Sequence, residues 1–165
     1  MRWSGLFRER LLTAEVWLPR PRAEVFPFFA DAANLNAITP PWLSFTIETP
    51  GVGMCAGALI DYRLRLRGIP IRWRTLIRAW EPPVRFVDEQ VEGPYLQWVH
   101  EHTFEEQARG GVQGTVCRDS VRYRHAGGPV AQALMVGPDL ARVFAYRTQR
   151  LRELFASSAG PSEKN

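Results

Sequence analysis

Cysteine and lysine are scarce in this sequence. The 165 residues include two cysteines, Cys55 and Cys117, which lie far apart and form neither a CxxC motif nor a cluster. Neither a disulfide scaffold nor a cysteine-rich zinc module is therefore expected. Because lysine is so rare, arginine supplies nearly all of the positive charge, and the net charge of +4 is too small to identify an anionic partner.

Long apolar runs are also missing. No stretch is long enough to span a bilayer as a helix, and residues 1–8 lack the apolar segment of a secretory signal peptide. The sequence contains no dinucleotide-binding fingerprint or nucleophile elbow, and Gly110-Gly111 opens no helix, so this pair is a turn and not a phosphate cradle. We expect a soluble, cytoplasmic protein without stable membrane insertion, either a monomer or a homodimer.

The composition fits one globular domain. Hydrophobic residues make up 45% of the chain and charged residues 23%, and the length allows a sizeable core. We assign the domain to residues 1–155. Residues 156–165 are mainly small and polar and are predicted to form a disordered tail.

The most informative stretch is residues 86–104, where two strand-like runs flank a Gly-Pro turn. This pattern predicts a β-hairpin. Because successive strand side chains point to opposite faces, one face collects aromatic rings together with acidic, amide and histidine side chains. The register that keeps them together pairs Asp88 with His100 and Phe86 with His102. Aromatic residues with a few convergent polar groups are typical of a ligand pocket.

Apolar and polar residues also alternate or form short apolar runs in five other segments, which we predict to be strands: residues 11–18, 44–49, 59–67, 71–79 and 115–124. Most connections are short, so the sheet should be antiparallel, with six or seven strands. Two short helices are predicted between the first two strands, at residues 22–31 and 33–38. Pro27 should kink the first helix or end it early.

From Pro129 the apolar period changes to about 3.6. Residues 130–136 predict a helical segment that is interrupted at Gly137-Pro138, and residues 139–155 predict a longer helix with one apolar stripe. This stripe must cover the apolar face of the sheet. We therefore predict an α+β fold in which a curved antiparallel sheet wraps around a long C-terminal helix and leaves a cavity between them.

Arginine occupies outward-facing positions of several predicted strands: Arg63, Arg65, Arg67, Arg72, Arg74, Arg78, Arg118, Arg122 and Arg124. No aromatic platform of the kind used by single-strand binders is interleaved with them. Glu89, Glu101 and Glu105 are expected to be cross-strand partners. We interpret these rows as a solvated face and expect no nucleic-acid partner.

Several motifs resemble those of a known superfamily: Glu24-Val25-Phe26-Pro27-Phe28-Phe29, Ile38-Thr39-Pro40-Pro41-Trp42-Leu43, Trp80-Glu81-Pro82-Pro83, Phe86-Val87-Asp88-Glu89-Gln90, Trp98-Val99-His100-Glu101-His102-Thr103-Phe104 and Phe144-Ala145-Tyr146-Arg147. The chain resembles the SRPBCC superfamily, the START-related and birch-pollen-allergen-like helix-grip proteins, over residues 7–155. Within it, the chain is similar to a bacterial cyclase-like ligand-binding branch sometimes labelled "cell division inhibitor". It departs from that branch at Pro27, where a helix former is expected, and at His125-Ala126, where Leu-Pro is expected.

The resemblance implies a helix-grip fold with a hydrophobic cavity for a lipid, polyketide, isoprenoid or similar small ligand. The superfamily includes enzymes and pure binders, and its fold does not decide between them. We favour binding of a small hydrophobic ligand, with no cofactor. The alternatives are a polyketide cyclase or dehydratase, or a related isomerase, and a regulatory interaction protein.

The pocket is expected to involve eleven residues: Trp42, Tyr62, Trp73, Thr75, Phe86, Gln90, Tyr95, Trp98, Phe104, Tyr123 and Phe144. If the strands pair in order, Thr75, Asp88 and His100 lie at one level across the sheet, and Asp119 lies near His102. The opposing interpretation of these polar groups is a buried, mutually satisfied hydrogen-bond network that shapes a pocket or braces the sheet.

The enzymatic alternative uses His100 or His102 as general base, oriented by Asp88 or Asp119. Tyr62 or Tyr123 would then donate a hydrogen bond to the enolate oxygen. The His-x-His spacing can also serve zinc or iron, with an aspartate as third ligand. The sequence fixes no third ligand, and the resemblance implies no metal, so we predict none. The inward-facing Cys117 is interpreted as inert.

Overall fold

The computed structural model describes residues 8–49, 51 and 53–157. Its seven strands are β1 (Arg10–Leu18), β2 (Thr46–Ile47), β3 (Leu59–Leu66), β4 (Ile69–Glu81), β5 (Arg85–Glu92), β6 (Gln97–Glu106) and β7 (Thr115–Arg124). All neighbouring strands are antiparallel, and their order in the sheet is β1-β7-β6-β5-β4-β3-β2. The predicted sheet of six or seven strands is confirmed.

Short helices connect β1 to β2, as predicted: α1 (Arg22–Phe29), a 3₁₀ turn (Ala32–Asn34), α2 (Leu35–Ile38) and a second 3₁₀ turn (Pro41–Leu43). Pro27 lies inside α1, which ends two residues later. This early end is the expected consequence of a proline that cannot donate a backbone hydrogen bond. Val25, Phe26 and Phe29 bury one side of α1.

The C-terminal helical region is continuous, and the predicted interruption at Gly137-Pro138 is wrong. It consists of α3 (Gly128–Ala131), a π-helical turn (Gln132–Val136) and α4 (Gly137–Ser157). The N–H of Gly137 bonds to the carbonyl of Gln132, five residues earlier. A wider turn of this kind lets a helix continue next to a proline.

The long helix α4 extends past the predicted domain end at residue 155, to Ser157. Residues 158–165, which hold most of the predicted disordered tail, lie outside the described residues. Among the residues that the structure describes, no helix combines the length and the apolar character that a membrane span requires.

Two strand boundaries differ from the prediction. The predicted strand at residues 44–49 is reduced to Thr46–Ile47, followed by one more backbone hydrogen bond from Glu48 to Asp61. It starts late because Ser44 has a left-handed backbone with φ of 45° and ends the preceding turn. The loop between β3 and β4 is a tight turn at Arg67 and Gly68, whose φ values are 50° and 83°. Positive φ at both central residues suits a two-residue hairpin loop, so β4 begins earlier than predicted.

The register of the central hairpin is confirmed, since Asp88 pairs with His100. The register of β4 is not as predicted. Thr75 lies opposite Gln90, and Ile77 lies opposite Asp88, so the pairing differs by two residues from the prediction, and β4 and β5 also shift register twice along their length. Such bulges add an extra residue to one strand. Thr75 therefore does not share a level with Asp88 and His100.

The outer face of the sheet carries paired charges. The three glutamates expected as cross-strand partners are engaged as follows: Glu89 with Arg78 at 3.3 Å, Glu105 with Arg118 at 2.5 Å, and Glu101 with Arg85. The opposite face packs against α4, whose buried residues include Leu140, Phe144 and Leu151. The predicted arrangement of one charged face and one face gripped by the helix is confirmed.

Candidate functional site

A cavity of about 200 Å³ lies between the inner face of the sheet and α4. Seven of the eleven expected pocket residues line it: Tyr62, Trp73, Thr75, Phe86, Tyr95, Trp98 and Phe144. Three of the candidate catalytic residues, Asp88, His100 and His102, also reach its wall. The cavity thus combines an aromatic wall with one group of buried ionisable side chains.

Trp42 and Phe104 lie elsewhere. Trp42 is 42% exposed and packs on the outside of α4, with its ring 5.4 Å from that of Tyr146 and 4.3 Å from the Arg142 guanidinium carbon. Phe104 is buried among aromatic rings of α1, where its ring centroid lies 4.9 Å from that of Phe29. Trp42 is therefore an anchor for the segment before β2, and Phe104 belongs to the core.

Gln90 and Tyr123 are hydrogen-bonded to neighbouring segments and do not line the cavity. Gln90 donates to the carbonyl of Tyr95 at 2.8 Å and accepts from the Tyr95 N–H at 3.2 Å. Tyr123 is buried, and its hydroxyl accepts a hydrogen bond of 2.9 Å from Gln132 in the π-helical turn. Both side chains therefore fix local structure beside the cavity.

Arg147 is the functional candidate that sequence reasoning did not select. It lines the cavity from α4, and its Nε lies 3.5 Å from Oδ2 of Asp119. The signal was present in the sequence, because Arg147 is the charged residue in the apolar stripe of the predicted helix. A charged residue buried in such a stripe needs a partner, and Asp119 supplies it.

Polar residues between α1 and β2 also line the cavity, and each makes a local hydrogen bond. Asp31 accepts a hydrogen bond of 2.9 Å from the Ala33 N–H. Asn34 donates to the Phe28 carbonyl at 3.0 Å, and Thr39 donates to the Leu35 carbonyl at 2.6 Å. These side chains stabilise the short helices. Asp31 is exposed, so the less exposed ionisable residues of the cavity wall are those on β5, β6 and α4.

Four residues form what we call the His–Asp cluster: Asp88, His100, His102 and Asp119. His102 lies between the two carboxylates, with Nε2 2.9 Å from Asp88 and Nδ1 2.8 Å from Asp119. His100 Nε2 lies 2.9 Å from Asp119, whereas its Nδ1 is 3.7 Å from Asp88. Asp119 lies behind the histidines and is not part of the cavity wall. Its expected proximity to His102 is confirmed.

Burial and charge shift the histidine pKa values in opposite directions. Burial lowers the pKa of His100, and the neighbouring His102 lowers it further, against the opposing effect of the carboxylates. For His102, burial also acts downward, but hydrogen bonds to Asp119 and Asp88 outweigh it and raise its pKa. Burial acts to raise the pKa of Asp119, but Arg147 and the histidines hold it well below its usual value.

The geometry gives the proton positions in the cluster. An ionised carboxylate only accepts hydrogen bonds, and the His102 nitrogens lie 2.9 Å and 2.8 Å from carboxylate oxygens, so this arrangement favours protons on both nitrogens and a cationic ring. For the same reason, Nε2 of His100 carries a proton. The charges of His102 and Arg147 then balance those of Asp88 and Asp119 when His100 is neutral. A neutral His100 has an unprotonated Nδ1.

Asp88, His100 and His102 offer nitrogen and oxygen atoms within 4.8 Å of one another, close enough in principle to surround a cation. In the structure, however, each His102 nitrogen faces a carboxylate oxygen. A cation would have to displace these protons. The geometry therefore supports the hydrogen-bonded arrangement, and we assign no metal to it.

A second polar group lies deeper along the aromatic wall. The Tyr62 hydroxyl and the Thr75 Oγ1 are 3.2 Å apart, and the Trp73 indole donates to Thr75 Oγ1 at 3.1 Å. Burial raises the pKa of Tyr62 strongly, which keeps the phenol protonated. On β7, burial raises the pKa of the Cys117 thiol to about 12, so this thiol is not an activated nucleophile.

The fold and site define a class of proteins in which an antiparallel sheet and a long C-terminal helix enclose a ligand-sized cavity. The family model described as "Polyketide cyclase / dehydrase and lipid transport" matches residues 18–152. The chain belongs to this family. No curated protein sequence matches it.

Several solved structures share this fold. The major latex-like protein 151 of Panax ginseng has a TM-score of 0.66 at 11% identity, covering 89% of this chain and 97% of that chain. A norcoclaurine synthase point mutant of Thalictrum flavum, in complex with a transition state analogue, has a TM-score of 0.65 at 12% identity. The match covers 93% of this chain and 98% of that chain. Protein Ms6760 of Mycobacterium smegmatis has a TM-score of 0.61 at 16% identity, and the match covers 95% of each chain. Identities this low establish the fold alone.

The charge balance of the cluster can be tested by replacing Arg147 with methionine, which fits the apolar stripe. Without the guanidinium, the two carboxylates exceed the remaining cation, and the pKa of His100 should rise. An NMR titration of the His100 ring measures this. Arg150→Met is the matched control, because Arg150 on the same helix pairs with Glu153. If the His100 ring titrated at the same pH in both variants, the proposed charge balance would be contradicted.

The pKa of His100 is lowered and that of His102 is raised, which predicts a maximum in folding stability near pH 6.5, about the pKa of histidine in an unfolded chain. Below it, the unfolded chain protonates His100 while the folded protein does not, so stability rises with pH. Above it, the folded protein keeps the His102 proton that the unfolded chain has lost, so stability falls with pH.

Urea unfolding between pH 5 and pH 8 measures this profile, with slopes of at most about 1.4 kcal/mol per pH unit. His125→Phe is the control variant, since His125 is buried outside the cluster and bonds to Gln132. It should keep the maximum at the same pH. A monotonic rise in stability across this range in the wild-type protein would contradict the assignment.

Proposed function

We propose that this protein binds a small, mainly apolar molecule in the cavity between the sheet and α4. The observation that carries this proposal is the cavity of about 200 Å³, with aromatic walls and a few ionisable side chains. A few polar groups in an otherwise apolar cavity orient a ligand, while burial of its apolar surface supplies affinity. Membership of a family that includes lipid transport proteins also supports it.

The volume limits the size of the ligand. An engineered apolar cavity of about 150 Å³ accommodates benzene, whereas drug-sized ligands occupy about 300–1,000 Å³. A cavity of about 200 Å³ therefore suits a molecule of one or two rings. A long acyl chain would require the walls to move apart.

The aromatic wall supports itself without a ligand. The rings of Trp73 and Trp98 pack edge to face with centroids 5.4 Å apart, and Tyr62 stacks on Trp73 at 5.9 Å. Such ring pairs stabilise one another beyond the burial of their surface. This preformed wall lowers the ordering cost of binding.

Filling the cavity from the helix side tests the proposal. Leu140 lines the cavity and is 7% exposed, so Leu140→Trp should project a larger side chain into the ligand's space. Equilibrium dialysis with naphthalene should show saturable binding to the wild-type protein and binding weaker by about tenfold or more to this variant. The control is Leu134→Trp, since Leu134 is 71% exposed. Equal binding to all three proteins, or none, would refute a cavity site.

A second candidate function is acid–base catalysis on a polyketide-like substrate. The specific observation in its favour is that His100, with an unprotonated Nδ1, and Arg147 both line the cavity. His100 would remove a proton from the carbon between two carbonyl groups, and Arg147 would stabilise the negative enolate oxygen. A structural neighbour, the norcoclaurine synthase, carries a transition state analogue, which supports chemistry in this fold.

Arg147 replaces the tyrosines first considered as donors to the enolate oxygen. The Tyr62 hydroxyl is paired with Thr75, and the Tyr123 hydroxyl accepts from Gln132 outside the cavity. Arg147, in contrast, lines the cavity and carries a full positive charge. A fixed cation stabilises a developing anion more strongly than a neutral phenol does in a desolvated site.

The enzymatic candidate predicts that His100→Phe abolishes cyclising dehydration of a short poly-β-ketone, with a loss of about 100-fold or more. His125→Phe should keep wild-type turnover, because His125 lies outside the cavity. Product formation is measured by liquid chromatography with mass detection, and circular dichroism checks that both variants fold. Full turnover in His100→Phe would rule out this mechanism. Absence of turnover in the wild-type protein would leave ligand binding as the function.

A further inference from the structure

Nδ1 of His100 is a polar atom on the cavity wall that makes no hydrogen bond within the described part of the protein, and it defines a group that a ligand can offer. His100 Nε2 is committed to Asp119 at 2.9 Å. Its Nδ1 lies 3.7 Å from Asp88, beyond hydrogen-bond distance, and contacts no other polar group among the described residues. The imidazole therefore presents Nδ1 as an open position.

This position is reached from the cavity. In the described part of the chain, the fully buried polar side-chain atoms without a partner belong to Arg20 and Arg147. His100 Nδ1 is not one of them, although the residue as a whole is only 6% exposed. Because His100 forms part of the cavity wall, the accessible side of Nδ1 is the cavity itself.

The open nitrogen is an acceptor. Asp119 accepts a hydrogen bond from Nε2 of His100, so the proton of neutral His100 sits on that nitrogen. The two positive charges of His102 and Arg147 already match the two carboxylates. His100 is therefore neutral, and a lone pair on Nδ1 faces the ligand space.

We infer that the cavity selects neutral molecules of one or two rings that carry a hydroxyl group, and that this hydroxyl donates its hydrogen to Nδ1 of His100. The inference rests on the proposed ligand-binding function. An ether of the same shape has no hydrogen to donate and would set its lone pairs against that of Nδ1.

Charged ligands are disfavoured by the same geometry. A ligand carboxylate at Nδ1 would approach the ionised Asp88, whose oxygen is 3.7 Å away. An ammonium ligand would add an uncompensated cation to a cluster that is already balanced by His102 and Arg147. Burying a charge without a partner costs far more than one hydrogen bond returns.

A matched series of naphthalenes tests the inference on the wild-type protein. The probes are naphthalene, 2-naphthol, 2-methoxynaphthalene, 2-naphthoate and the ammonium form of 2-naphthylmethylamine, each measured by equilibrium dialysis at pH 7.5. We expect 2-naphthol to bind about tenfold more tightly than 2-methoxynaphthalene, the effect of one buried hydrogen bond. Both ionic probes should bind more weakly than naphthalene.

The outcomes separate this inference from the proposed function. Equal affinities of 2-naphthol, 2-methoxynaphthalene and naphthalene would overturn the hydroxyl selectivity and leave the cavity as an unselective apolar site. Tightest binding of 2-naphthoate or of the ammonium probe would also overturn it and would make Arg147 or Asp88 the recognition group. Binding of none of the five probes would overturn both proposals.

A variant pair assigns the selectivity to the imidazole. His100→Phe keeps a ring of similar size but removes the acceptor, so the ratio of 2-naphthol to 2-methoxynaphthalene affinity should fall to about one while naphthalene still binds. His125→Phe should keep the wild-type ratio, because His125 bonds to Gln132 away from the cavity. A wild-type ratio in folded His100→Phe would show that another group recognises the hydroxyl. Should His100→Phe not fold, the probe series on the wild-type protein decides.

Discussion

Asp88 and Asp119 are largely buried carboxylates on the inner face of the sheet, with side chains 17% and 13% exposed, and their charges must be compensated where water solvates them poorly. An unpaired buried charge costs several kcal/mol, by rough estimate, whereas a compensated network can be sustained. His102 supplies one positive charge from within the sheet, and Arg147 supplies the other from α4. The helix is therefore held to the sheet by charge at this level as well as by its apolar stripe.

This compensation also gives the cavity its shape. Phe86 stacks on His102 with ring centroids 4.2 Å apart, and Phe144 lies edge-on to His100 at 5.7 Å. The aromatic rings shield the ionised groups from solvent, which strengthens their mutual attraction. Because Arg147 extends from the helix to Asp119, the helix and sheet meet here through a long side chain, and the neighbouring space stays open for a ligand.

Period-two alternation predicted the sheet, its charged face and the pairing of Asp88 with His100, because one slip in register would move every buried side chain to solvent. It did not predict that Ile77, and not Thr75, lies opposite Asp88, because a slip of two residues keeps the same side chains on the inner face. The continuous helix past Pro138 was also missed, because the local rule for proline ignores a preceding π-helical turn. Inward-facing residues were found by their pattern, but which of them line the cavity depends on loops and helices that cover it, as Gln90 and Tyr123 illustrate.

The lowered pKa of His100 bears on whether the cavity binds or transforms its ligand. Burial and the adjacent His102 disfavour the protonated ring, so His100 is a weaker base than an ordinary histidine. Proton abstraction is most efficient when the pKa of the base lies near the working pH, and a weaker base loses driving force. Accepting a hydrogen bond needs only the lone pair, which a neutral His100 retains at neutral pH. The same environment therefore favours recognition of a hydroxyl over removal of its proton. Proton removal would compete only if Arg147 stabilised the resulting anion enough to offset the lost driving force.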